Sequence, residues 1–121
     1  MAYILTVDDS ASIRQAIKIA LINEGHEVVE ASNGAEGLSK AGAGAFSLII
    51  TDLNMPVMDG LSMIRGLRAK PQHSGVPIIF LTTESDAGVK AEARAAGATG
   101  WLTKPFNPAQ LVQVVKKVLA R

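Results

Sequence analysis

The chain contains no cysteine, which excludes a disulfide framework and any metal site built on thiolates. Neither sign of charge is in excess. Twelve Lys and Arg stand against eleven Asp and Glu, for a formal net charge of +1, and the pI is about 8.1. A nucleic-acid footprint requires clustered basic residues and a far higher pI, so no such partner is expected. No apolar run is longer than a strand, so none is read as a membrane span. The opening, MAYILTVDD, has no basic flank and turns acidic at once, unlike a secretory signal. There remain 121 residues, 48% hydrophobic and 19% charged. That is the profile of one ordinary globular domain, expected in the cytoplasm and expected to span residues 1–121 with no output domain.

Five short apolar runs punctuate the chain: Tyr3 to Val7, Glu27 to Ala31, Phe46 to Thr51, Val76 to Thr82 and Gly100 to Thr103. The first, third and fourth are almost continuously Ile, Leu and Val, as in strands buried on both faces of a parallel sheet. Ile13, Ala16, Ile17, Ala20 and Leu21 recur at helical spacing, with Gly25 as a stop. Leu61, Ile64 and Leu67 repeat that pattern more weakly. Asn107-Pro108 reads as an N-cap and first turn leading into Leu111, Val115 and Val118. The segments 33–41 and 84–96 are Ala-rich and Gly-containing with little apolar stripe. They are read as helices because parallel strands need crossovers. The sum is β-α five times over, a doubly wound α/β domain.

In an open parallel sheet, ligands bind beyond the carboxyl ends of the strands. Strand one ends in Asp8 and Asp9, strand three in Asp52, strand four in Thr82 and Thr83, strand five in Thr103 and Lys104. These groups share one rim although the sequence scatters them. Three carboxylates repel one another unless counter-charge is supplied. Lys104 supplies one positive charge and a divalent cation the rest. All-oxygen ligands favour a hard ion such as Mg²⁺, which binds a few carboxylates plus water or a phosphate oxygen. A cation, a lysine and a hydroxyl are suited to a tetrahedral anion. If one carboxylate is the nucleophile, the product is an aspartyl phosphate, and Asp52 is the central candidate.

The motifs VDDS (7–10), TDLNMPVMDG (51–60), LTTE (81–84) and GWLTKPF (100–106) occur in that order at those strand ends. Over essentially its whole length the chain resembles response-regulator receiver domains, particularly the stand-alone regulators of chemotaxis. The resemblance implies a flavodoxin-like sheet with strand order 2-1-3-4-5. It implies that Asp52 accepts phosphate from a phosphohistidine on a partner histidine kinase. Asp9, Asp52 and the backbone carbonyl of Asn54 would hold Mg²⁺, with Asp8 acting through water. Lys104 would pair with the phosphate, Thr82 would hydrogen-bond it, and Trp101 would follow Thr82 inward as the switching aromatic. The Lys104-Pro105 bond would be cis. The expected protein is a monomeric signalling switch rather than an enzyme. Its output would pass through the face around Lys90, Arg94, Trp101 and the last helix, to a flagellar motor switch protein or another effector. Asn54, Thr83 and Glu84 would set dephosphorylation, with or without a phosphatase; Thr83 departs from the chemotaxis pattern, which has a smaller residue there.

Other readings accompany these. Asp8 and Asp9 could cap the first helix, although Ser10 or Ser12 does that without stacking two acids. Asp59-Gly60 fits a hairpin turn or, given the helical pattern after it, an N-cap. Lys104 could be an ordinary surface lysine, and Trp101 an ordinary core residue. His26 and His73 have no ligand partner at useful spacing and are read as surface residues. The same fold could serve as a phosphate sink or a phosphorelay intermediate. A Mg²⁺-dependent phosphohydrolase is disfavoured, because its general acid would stand where this chain has Asn54, which cannot titrate.

Overall fold

The computed structural model describes residues 2–53, 55, 57–70, 75–82 and 87–120, the last stretch without the side chains of Ala87 and Val89. Asn54, His73, Thr83 and Glu84, named above, lie outside the described residues.

Among the described residues strands and helices alternate: β1 (Tyr3–Val7), α1 (Ala11–Asn23), β2 (Glu27–Ala31), α2 (Gly34–Ala43), β3 (Leu48–Asp52), α3 (Gly60–Arg68), β4 (Ile78–Thr82), α4 (Ala87–Ala96), β5 (Gly100–Thr103) and α5 (Pro108–Leu119). The strands form one parallel sheet in the order β2-β1-β3-β4-β5, a flavodoxin-like fold as expected. β3 and β4 each begin two residues later than their apolar runs. For β4 the cause is Pro77, which has no N–H for the ladder. For β3 it is Phe46, whose ring stacks on Tyr3 at 4.4 Å instead of entering the sheet.

The sheet is buried on both faces because every connection is a helix. Ile17, Ala20 and Leu21 of α1 and Leu111, Val115 and Val118 of α5 cover Ile4, Leu48, Ile50, Ile79 and Leu81 on one side. Met63, Ile64 and Leu67 of α3, with Ala41 of α2, cover Leu5, Val7, Ile49 and Ile78 on the other. Ala93 of α4 joins Phe80 and Leu53 there. Ala16, read as part of the α1 stripe, is exposed. It sits at the flank of the buried arc, next to Ile17 but about 100° round the helix.

The caps follow the sequence. Ser10, Asn33, Asp59 and Asn107 each accept a hydrogen bond from a first-turn N–H, so Asp8 and Asp9 are not the caps of α1. Asn107 N donates in turn to Gln110 Oε1, completing a capping box. His26 is half-buried, contrary to the surface reading. Its Nδ1 accepts from Ala2 N at 3.0 Å, so it ties the turn between α1 and β2 to the residue before β1.

Candidate functional site

Parallel pairing puts the ends of β1, β3, β4 and β5 at one edge. Val7 lies opposite Thr51, and Thr82 opposite Thr103. The residues that follow, Asp8 beside Asp52 and Lys104 beside Thr82, therefore meet. β1 and β3 are spatial neighbours although β2 separates them in sequence, and their helices leave to opposite faces. The acids stand at that crevice.

One oxygen from each of Asp8, Asp9 and Asp52 lies within 4.8 Å of the others. Asp8 is fully buried and Asp52 only 7% exposed, whereas Asp9 is exposed. Lys104 Nζ reaches Asp8 Oδ2 at 3.1 Å and Asp52 Oδ2 at 3.2 Å. The remaining oxygens of the buried pair accept backbone N–H groups: Ser10 N donates to Asp8 Oδ1 at 2.9 Å and Leu53 N to Asp52 Oδ1 at 2.9 Å. Burial, the largest influence, pushes the Asp52 carboxyl above the usual carboxylate range. The ammonium of Lys104 opposes that rise and the charge of Asp8 adds to it.

Lys104 is held from behind. Its N–H donates to Thr82 O at 2.8 Å, and the Lys104-Pro105 bond is cis, as the resemblance implies. Thr82 is 1% exposed at the end of β4. Trp101, half-buried, is farther out. Its ring lies 6.1 Å from Phe80, with Lys90 Nζ 4.8 Å and Arg94 Cζ 5.1 Å from its centroid.

Two glycines pack against the backbone at Asp52–Leu53 and at Met58. A Cβ on Gly60 would lie 2.1 Å from Asp52 O, and one on Gly34 would lie 2.4 Å from Met58 O. Gly60 N donates to Leu53 O at 2.9 Å and Gly34 N to Met58 O at 3.0 Å. Both contacts escaped the sequence reading, which took Gly60 only as a helix start. A third missed residue is Arg14, whose Nη1 donates to Asp8 O. Nothing in its spacing marks it out.

A groove of about 320 Å³ adjoins Lys104, walled by Ser12, Ile13, Ala16, Pro105 and Phe106. A cavity of about 550 Å³ opens at the other end of the sheet between Ser47, Pro77 and Thr99. It is far from the acids and takes no part in the site. Among the described residues no helix is long and apolar enough to cross a membrane.

A doubly wound sheet with three acids and a lysine at its crevice defines a class of signalling domains. The model of the response regulator receiver domain matches residues 4–116, and the chain belongs to that family. It is the receiver domain of a two-component response regulator, and within the family it is CheY-like. Chemotaxis protein CheY1 of Helicobacter pylori is 39% identical over 118 residues, covering 96% of this chain and 95% of the relative. The crystal structure of the chemotaxis response regulator CheY4 of Vibrio cholerae superposes with a TM-score of 0.94 at 47% identity, covering 98% of each chain. The receiver domain of sensor histidine kinase PA1611 from Pseudomonas aeruginosa has a TM-score of 0.91 at 29% identity. It covers 99% of this chain and 98% of that one, and carries a magnesium ion in its active site cleft. Against other curated relatives, which are transcriptional regulators, the chain spans about half their length, 48%.

Proposed function

We propose that Asp52 is the phosphoacceptor of this receiver domain. An Asp52 carboxylate oxygen attacks the phosphorus of a phosphohistidine on a partner kinase. The P–O bond forms as the P–N bond breaks, and its electron pair returns to the imidazole. The observation that carries this reading is the meeting of Asp8, Asp9 and Asp52 within 4.8 Å, with Lys104 Nζ at 3.1 and 3.2 Å from two of them. Two buried acids with a third beside them need a reason.

Mg²⁺ fits the donor set. It is all oxygen, and the buried pair spends its hydrogen bonds on Lys104 and two backbone N–H groups, leaving lone pairs over. Asp9 and Asp52 would hold the ion directly, with Asp8 through water; the expected carbonyl of Asn54 lies outside the described residues. When bound, the ion offsets charge on the phosphoryl oxygens. Lys104 does the same as a mobile point charge, and Thr82 stands ready to hydrogen-bond the new phosphate. The groove beside Lys104 offers the kinase a partly apolar footing next to the nucleophile.

Phosphate on Asp52 adds charge and acceptors that draw Lys104 and Thr82 toward it. The effect passes to Trp101 and the face of α4, β5 and α5. Near end-to-end coverage of the two chemotaxis relatives supports a flagellar motor switch protein as the effector.

The test is intact mass after incubation with Mg²⁺ and acetyl phosphate. One acid-labile phosphate adduct is expected, absent without Mg²⁺ and absent in Asp52→Asn. An adduct that persists in Asp52→Asn would falsify the assignment.

A further inference from the structure

Arg14, in the first turn of α1, reaches back past the helix start to donate from Nη1 to Asp8 O. Its Nε donates to Glu30 Oε1 at 3.3 Å on β2. Glu30 is held in turn by Lys18 Nζ at 3.5 Å, and Lys40 of α2 donates to its carbonyl. The guanidinium side chain is 18% exposed. It is therefore fixed at a corner where α1, β2 and α2 meet, before any ion arrives.

The carbonyl it holds belongs to the peptide that joins Asp8 to Asp9. That unit is planar, so fixing the Asp8 oxygen fixes the bond that leads to the Asp9 Cα. Asp8 needs little help, since its N–H, both carboxylate oxygens and its carbonyl are all engaged. Asp9 differs. Its carboxylate makes no hydrogen bond or ion pair among the described residues, yet it lies in the cluster with Asp8 and Asp52. The peptide plane is what aims it.

We propose that Arg14 is a positioning residue for the divalent cation: through the Asp8 carbonyl it orients Asp9 toward the ion. This rests on the reading of the acids as a Mg²⁺ site. The rival is an ordinary ion pair with Glu30, which would touch stability slightly and act on the metal only as a nearby charge. Charge separates the two readings by sign. Removing a cation near the site strengthens Mg²⁺ binding by Coulomb's law, whereas losing a positioning bond weakens it.

The test is calorimetric titration of the purified protein with MgCl₂, with thermal melts in EDTA to report the fold alone. Arg14→Met is expected to weaken Mg²⁺ binding roughly tenfold, as for other residues that orient a metal ligand. Arg14→Lys keeps the charge but cannot grip Glu30 and the carbonyl together, and is expected to fall between. Lys18→Ala removes a cation that touches Glu30 but not Asp8, and should bind Mg²⁺ as tightly as the wild type or slightly more. Wild-type affinity in both Arg14 variants overturns the proposal. Should Arg14→Met not fold, Arg14→Lys decides alone, because charge predicts no change there and positioning predicts a loss. A wild type that binds no Mg²⁺ overturns the metal reading itself, and the proposal with it.

Discussion

A single carboxylate, Asp52, holds the conflict between folding and function. Burial raises its pKa more than Lys104 lowers it, so the folded protein keeps this proton to a higher pH than the unfolded chain does. A group of that kind stabilises the fold fully when protonated. Its contribution is lost as the pH rises from the ordinary carboxylate range through the raised value. Without Mg²⁺, Asp52→Asn should therefore melt a few degrees above the wild type at pH 7, and the two should converge at pH 3. Loss of the 3.2 Å contact to Lys104 works the other way, but that lysine keeps Asp8, and burial is the larger influence. Added Mg²⁺ should reverse the order, stabilising the wild type by about 2.7 kcal/mol at a hundred times its Kd and the variant little. Melting curves across pH, with and without Mg²⁺, check both signs. A wild type that is more stable at pH 7 in EDTA would show that the buried acid carries no cost.

At the scale of elements, the strands were legible because a buried parallel strand is a run of Ile, Leu and Val whatever it packs against. The helices α1, α3 and α5 were legible through stripes and caps. α2 was read as a helix only because parallel strands need crossovers; it meets the sheet through Gly34, Gly37 and Ala41, and small residues leave no hydrophobic signature. The segment from Leu53 to Asp59 was half legible. Asp52 at a strand end, and Asp59 as a cap, follow from residue type. The approach of Gly60 and Gly34 to carbonyls depends on where other elements lie, which only the assembled fold fixes. Those contacts predict that Gly60→Ala costs about 3 kcal/mol, because its Cβ would collide with a backbone oxygen that cannot swing away. The oxygen is that of Asp52 itself, so the rate of phosphorylation by acetyl phosphate should fall as well. Gly42→Ala, exposed in α2 with nothing within 4 Å of its Cβ, should instead stabilise by about 0.5–1 kcal/mol. Urea denaturation of the pair tests this; similar effects would mean that helix propensity, not close approach, governs Gly60.

Across the whole molecule, the rim of acids, threonine and lysine could be read from strand ends because all five strands point one way. Lys90 and Arg94 were grouped with Trp101 only through the family resemblance; that both lie over its ring depends on how α4 lies over the sheet. Phe80 of β4 sits behind the ring, and Lys90 and Arg94 lie over it. Phe80 and Trp101 are register partners, as are Thr82 and Thr103 one pleat nearer the site, so β4 and β5 link the proposed phosphate to the ring. The two cations brace Trp101 near the surface. Each such contact is worth about 0.5–1 kcal/mol at an exposed site. The proposed inward movement would have to break both, at about 1–2 kcal/mol, a cost comparable to a tenfold change in a two-state equilibrium. Two expectations follow for the chain's single tryptophan. With Mg²⁺ and acetyl phosphate, wild-type emission should shift while that of Asp52→Asn stays constant. In the Lys90→Met, Arg94→Met double variant, resting emission should already lie part-way toward the phosphorylated value. If phosphorylation is complete by mass and the emission is unmoved, Trp101 is a packed surface residue and the signal leaves the site by another route.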